Sequence, residues 1–230
     1  MQIEISEFEE GARQARGLTV IIDVFRAFSV ECYAVDSGAS RIIATGDPDE
    51  AFRLKERYPN SLLAGERNER KIPGFDFGNS PTEIIKSDLS GKTLIHTTTA
   101  GTAGLVSAVN ADLILTGSLV NASAVARYIA ERKPARVSLV AMGFRATVSA
   151  EEDLLCAEYI KMKLEGRETD ISDRIAGLRH TAGHRFFNPE NIDFSPPTDF
   201  FLCTMTDRFG FVLKAERRND GNIDLRRTDF

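Results

Sequence analysis

Short runs of consecutive apolar residues recur along the chain, and stretches of helical length and mixed polarity separate them. Residues 18–23, 41–45, 61–64, 93–97, 112–116 and 136–141 read as strands. Several are apolar at successive positions, as in strands covered on both faces. The alternation predicts an α/β fold of three layers, a largely parallel sheet with helices on both faces. Helix starts are written in local chemistry. Asp47 precedes Pro48 with Glu50 three residues on, Ser80 precedes Pro81 with Glu83 three residues on, and Ser149 is followed by Glu152. All three pairs read as capping boxes, two with proline in the first turn. They predict helices over 48–58, 81–87 and 150–165, with others over 101–109 and 122–132. After Gly166 the rhythm weakens. Residues 177–197, with His180, His184, paired Phe and paired Pro, read as an irregular excursion before a last strand at 211–216. No repeat or linker interrupts the pattern, so one domain over 1–230 is expected, with two tightly coupled lobes as its variant.

Composition narrows the class. With 230 residues, 42% of them hydrophobic and 27% charged, the chain can bury a core without disulfides or structural zinc. Cys32, Cys156 and Cys203 lie far apart in apolar surroundings and read as reduced thiols of a cytoplasmic protein. A net charge of −5 gives no general attraction to nucleic acid or to an anionic membrane, so an anionic ligand must be held locally. The acidic N-terminus, and the lack of any apolar run near the roughly 20 residues a membrane span needs, predict a chain neither exported nor embedded. A homo-oligomer stays open.

In parallel sheets ligands bind beyond the carboxyl ends of strands, which singles out four places. Asp23 and Arg26 close one strand and open the next turn, where a carboxylate and a guanidinium can hold a metal and an anion side by side. The bland alternative is a helix-starting Asp with a solvated Arg. The loop 65–81 is glycine-punctuated and rich in both charges, and Phe75 and Phe77 can anchor it so that Asp76 and Asn79 point inward. Residues 95–104, with Thr97, Thr98, Thr99, Gly101 and Thr102, form a strand followed by hydroxyls and glycines, a pattern suited to phosphate or sulfonate. No P-loop lysine follows, and Thr and Gly also start helices for structural reasons. The fourth place is Glu151-Glu152-Asp153 at a helix start. There Glu152 reads as a cap and Asp153 as the residue for a site. His96, His180 and His184 read as structural or surface groups, since no further zinc ligands accompany them. Phe25 stands where the aspartyl-phosphate phosphatases carry a second Asp, which disfavours that covalent route.

These segments resemble the 2-phosphosulfolactate phosphatase family over most of the chain. The matching parts are Ile22-Asp23-Val24-Phe25-Arg26-Ala27, the loop from Gly65-Glu66-Arg67-Asn68 to Gly74-Phe75-Asp76-Phe77-Gly78-Asn79-Ser80-Pro81, Thr97-Thr98-Thr99-Ala100-Gly101-Thr102, and Glu152-Asp153-Leu154-Leu155-Cys156-Ala157. The loop is the most specific, because so many unlike residues at fixed spacing rarely coincide. The resemblance implies a magnesium-dependent phosphatase acting on the ester of a small sulfonated hydroxy acid, as in coenzyme M biosynthesis. Carried over, Asp23, Arg26, Glu66, Asp76 and Asp153 are catalytic, with the four carboxylates around Mg²⁺. Arg26, Arg67, Asn79, Thr98, Thr99, Gly101 and Thr102 bind substrate. Ala100, Ala103 and Phe28-Ser29-Val30 depart from the family pattern and bear on the substrate more than on the fold. Three other readings stand beside it: another small phosphorylated hydroxy acid as substrate, an anion-binding protein without turnover, or an enzyme that binds a sulfonate or phosphate but performs a different step, such as isomerisation. Phosphoryl transfer needs charge neutralisation and alignment, which carboxylates, metal and Arg supply.

Overall fold

The computed structural model describes residues 1–167 and 170–230. In chain order the elements are β1 (Gln2–Glu7), α1 (Phe8–Gln14), β2 (Gly17–Ile22), α2 (Ala27–Asp36), β3 (Arg41–Ala44), α3 (Pro48–Arg57), β4 (Ser61–Arg67), β5 (Arg70–Lys71), α4 (Pro81–Ile84) and β6 (Thr93–Thr97). They continue as α5 (Gly101–Ser107), β7 (Ala111–Gly117), α6 (Ala122–Arg132), β8 (Arg136–Ala141), α7 (Glu151–Leu164), α8 (Ser172–Leu178), α9 (Pro197–Cys203), β9 (Val212–Arg217) and β10 (Ile223–Thr228).

All ten strands form one sheet in the order β1-β8-β2-β7-β9-β10-β3-β6-β4-β5. It consists of two parallel blocks. β1, β8, β2 and β7 run together, with Leu18 opposite Val137 and Leu113, and β3, β6 and β4 run together, with Ile42 opposite Leu94. The antiparallel hairpin β9-β10 joins the blocks, pairing Leu115 with Lys214 and Leu225 with Ile42. Alternating side chains of each strand enter opposite cores, as the pleat requires. On one face Ile21, Ile42, Leu94 and Leu225 pack with α1, α2, α4 and α5. On the other, Val20, Ile22, Leu115 and Leu139 pack with α6 and α7, while Ile43, Leu63 and Ile95 pack with α3. The architecture is therefore three-layer α/β.

The strong apolar runs all became strands. α1, β5, α8 and α9 were not expected, nor were β1, α2 and β10, and for the last three there is a physical reason. β1 is a half-exposed edge strand, and α2 is buried on nearly every residue, so neither carries a clean amphipathic period. β10 is Ile-Asp-Leu-Arg-Arg-Thr, and its Asp224 is buried only because two arginines neutralise it. Of the capping boxes, Asp47 accepts Asp49 N–H and Ser80 accepts Glu83 N–H, while Glu50 and Glu83 turn elsewhere. The expected box at Ser149 does not form. Ala150 is the N-cap of α7, so Glu152 sits at the second helical position and faces inward.

Candidate active site

The two blocks run in opposite senses at the seam, yet the ends of β2 and β6 meet. Five inter-strand steps separate them, and a regular twist of about 20–25° per step turns the two strands well away from antiparallel. The contact is tight: a Cβ on Gly101 would lie 2.8 Å from Ala27 Cβ and 2.9 Å from Asp23 Oδ2. Only glycine admits the Asp23 carboxylate at the start of α5. Gly65 has the same role between β4 and β6, where a Cβ would meet the Thr97 carbonyl oxygen at 2.2 Å. A small cleft opens at this junction, with Asp23, Arg26, Glu66, Asn79, Thr98, Thr99 and Arg185 on its walls.

Asp23 follows β2 and is buried, with Oδ1 accepting Ala27 N–H at 3.1 Å. Burial, reinforced by the Glu66 charge and tempered by Arg185, pushes its acid up to about 6. Glu66, on β4, is buried and accepts Thr99 N–H at 2.7 Å and Glu69 N–H at 2.8 Å, so it ties the loop after β4 to the turn after β6. Thr99 Oγ1 is buried without a partner among the described residues. Thr98 and Thr102 close their own turn: Thr98 N–H donates to Thr102 Oγ1, and Thr102 N–H to Thr98 Oγ1. Asn79 lies in the wall before α4 and is 5% exposed.

Arg26 lines the cleft but is already engaged. Its Nη1 donates to Asp199 Oδ2 at 2.8 Å and to the Phe194 carbonyl at 2.6 Å, binding the first strand-end turn to α9. Arg67 points away, with Nη2 on the Gly46 carbonyl and Thr97 Oγ1 and Nη1 on the Glu66 carbonyl. Asp76 also lies outside the cleft. Lys55 pairs with it at 2.8 Å and Leu63 N–H donates to it, so it fastens the loop to α3 and β4. Burial presses its acid upward, but Lys55 and the Leu63 N–H outweigh this and hold it below the usual range. Phe75 packs into the α3 core and bears the anchoring role, leaving its neighbour Asp76 turned outward.

Asp153 sits behind the wall. Its oxygens accept Val24 N–H at 2.7 Å and Gly143 N–H at 2.9 Å, which clamps the loops after β2 and β8 together. Burial and the neighbouring Glu152 and Asp23 charges hold its acid well above the ordinary value. Glu152 is also buried, and its Oε2 has no partner among the described residues. Burial raises its acid to about 7, with Arg185 acting in the opposite direction.

The cleft also contains groups that the pattern of apolar and polar positions did not single out. Arg185 comes from the irregular segment. It donates to the Phe25 carbonyl at 3.1 Å, pairs with Glu69 at 3.2 Å, and lies against Phe25, Phe144 and Phe186. Its signal was an arginine set among His184, Phe186 and Phe187 in a stretch without periodicity. Arg145 stands at the mouth, exposed, in the left-handed region at φ 56°, with no ion pair among the described residues. Behind Asn79, His96 and Glu31 are both fully buried.

Among the described residues no helix is long and apolar enough to cross a membrane, and no three His, Cys, Asp or Glu side chains form a metal cage by themselves.

Comparison with known proteins gives the class first: the chain is a phosphoric monoester hydrolase. Residues 5–191 match the description of 2-phosphosulpholactate phosphatase. A Bacillus subtilis protein named probable 2-phosphosulfolactate phosphatase is 31% identical over 97% of this chain and 96% of its own length. Proteins of the same name from Caldanaerobacter subterraneus and Thermotoga petrophila are 40% and 39% identical, over 86% and 73% of this chain and 87% and 68% of theirs. The chain belongs to the 2-phosphosulpholactate phosphatase family.

Proposed function

We propose that the chain hydrolyses 2-phosphosulfolactate to sulfolactate and phosphate, with Mg²⁺ bound in the cleft. The observation that carries this reading is the unbalanced burial of Asp23. Its carboxyl lies out of solvent, feels the like charge of Glu66, and accepts one backbone N–H at Oδ1. Two carboxylates repelling one another in a cleft make an imbalance that a divalent cation relieves. Magnesium favours one or two carboxylates with waters and substrate oxygens over an all-protein cage. Asp23 and Glu66 would hold the ion. Bound there, it would supply positive charge to the phosphoryl oxygens and lower the pKa of a bound water.

The remaining work falls to side chains already in position. Arg185 offers a guanidinium to the phosphoryl group from the wall of the cleft, and the Thr99 hydroxyl, unpartnered among the described residues, offers a hydrogen bond. Arg26 keeps the Asp23 turn fixed through Asp199. Asp153 does the same from the other side through two N–H groups. Arg145 supports recognition of the second anionic group of the substrate, because it stands at the mouth with its charge unpaired among the described residues.

Phosphate release from 2-phosphosulfolactate, from its analogue lacking the sulfonate, and from other phosphorylated hydroxy acids tests the reading. Hydrolysis should stop in excess chelator, return with Mg²⁺, and favour the sulfonated ester. Full turnover in chelator would falsify the metal; equal rates on all esters would remove the sulfonate, and with it the role in making coenzyme M that the resemblance implies. No phosphate release from any ester would leave an anion-binding protein.

A further inference from the structure

We infer that Glu31 and His96 are positioning residues that hold the Asn79 side chain with its amide N–H groups turned into the cleft. The inference rests on the proposed reading that this cleft receives a phosphoryl group. His96 is the fourth residue of β6, Glu31 lies on α2, and Asn79 precedes α4, so the three side chains join separate elements in one line. His96 Nδ1 is 3.0 Å from Glu31 Oε1, and His96 Nε2 is 3.3 Å from Asn79 Oδ1. Both His96 and Glu31 are 0% exposed, whereas Asn79 lines the cleft.

The donor count fixes the direction. An amide oxygen only accepts, so Nε2 must carry a proton. Nδ1 then either accepts from a protonated Glu31 or carries a second proton opposite the carboxylate. In both states Nε2–H donates to Asn79 Oδ1, and the amide nitrogen is left for the cleft. Burial raises the Glu31 acid above its ordinary value, and the direction of the Asn79 contact is the same in either state. Three buried polar groups are a costly way to fill this space, which apolar side chains of similar volume would fill at no penalty. Their effect is to make one rotamer and one amide orientation of Asn79 dominant, with two donors presented where negative charge would lie.

Two measurements decide the matter. The first uses inorganic phosphate as the probe, with calorimetric binding to wild type, Asn79→Ala, His96→Phe, the double variant and Glu31→Gln. Asn79→Ala and His96→Phe should each weaken phosphate binding about tenfold, and the double variant should be no weaker than Asn79→Ala alone. Glu31→Gln, which can still hydrogen-bond Nδ1, should keep affinity within about threefold. Additive losses in the double variant, or unchanged binding in Asn79→Ala, would overturn the inference. The second needs no variant: with three histidines in the chain, the nitrogen resonances of the buried one can be assigned. His96 Nε2 should report a protonated nitrogen, and an unprotonated Nε2 would reverse the amide and sink the inference even if His96→Phe fails to fold. Phosphate binding does not require turnover, so coupled variants in a protein inactive on 2-phosphosulfolactate would cost the substrate and leave the relay standing.

Discussion

Asp23 and Asp224 have the same small surface exposure, 6% each, but Asp23 lies deeper, and their environments push them in opposite directions. Asp224, on β10, accepts from Arg41 Nε at 3.1 Å and Nη2 at 2.7 Å, and from Arg218 at 3.0 Å. Burial works against its charge, but the two guanidinium groups outweigh burial and hold its acid below the usual range. Asp23 has one backbone N–H and a like-charged neighbour, so burial wins and its acid rises to about 6. The difference teaches that burial does not distinguish a site from a strut. What distinguishes the cleft is burial without compensation, a cost that makes sense where a ligand completes the electrostatics.

The sharpest way to break this comparison is to neutralise each aspartate. Asp23→Asn should lower kcat/KM about a thousandfold or more while leaving the melting temperature at neutral pH unchanged or higher. Asp224→Asn should leave kcat/KM alone and cost about 1–3 kcal/mol, since Arg41 and Arg218 lose their shared carboxylate. Exchanged outcomes in the two assays would end the distinction.

Next in size is the contrast between two arginines. Arg26 and Asp199 are both nearly inaccessible, so Arg26→Ala strands a buried carboxylate and should cost about 3–5 kcal/mol in denaturant unfolding. Arg41 is 32% exposed, and Arg41→Ala should cost about 1 kcal/mol, because Arg218 remains on Asp224. Equal losses would show that Arg26 is not a fastening of the fold.

A pH series sharpens the comparison further. In metal-free protein the Asp23 acid is raised on folding from 3.8 to about 6, so the native state holds its proton over a window in which the unfolded chain has released it. Stability from this group is therefore present below about pH 4 and falls as pH rises through about 6. Asp224 has the opposite sign: its contribution is present above the unfolded value and is lost as pH falls through its depressed native value. Relative to wild type, Asp23→Asn should gain about 2–3 kcal/mol between pH 4 and pH 7 in chelator, measured by urea unfolding. A difference that stays flat across that range would mean the carboxyl titrates normally.

The smallest effect belongs to Asp76. Its ion pair with Lys55 is more than a third exposed, so Asp76→Asn should cost under about 1 kcal/mol and leave kcat/KM unchanged. A large kinetic loss would bring the loop's outer face into the site.

The same contrast explains what could be read from the sequence. Strands such as Thr93–Thr97 and Arg136–Ala141 are specified by runs of apolar side chains, a local property, and their ends point to Asp23, Glu66 and the Thr-rich turn. Compensation is not local. Nothing in the order of residues shows that Arg26 meets Asp199 or that Arg67 is spent on Gly46, because the partners lie far along the chain. Asp76 and Glu152 show the limit at the scale of one side chain. Asp76 faces outward beside the anchoring Phe75, and a helix that starts one residue later turns Glu152 from cap to buried acid. Glu31 and His96 were obscured because a buried polar pair has no periodic signature.

The seam between the two parallel blocks has a consequence for how the enzyme is made. The strand order interleaves the chain: β1 and β2 belong to one block, β3, β4 and β6 to the other, and β7 and β8 return to the first. Both blocks can gather their local helices during synthesis, but the hairpin that bonds β7 to β3 is formed by Val212–Arg217 and Ile223–Thr228. Until those residues leave the ribosome, the walls of the cleft belong to two unjoined sheets with open edges, so a nascent chain that has made β1 to β8 is still without a working site and is exposed to mispairing.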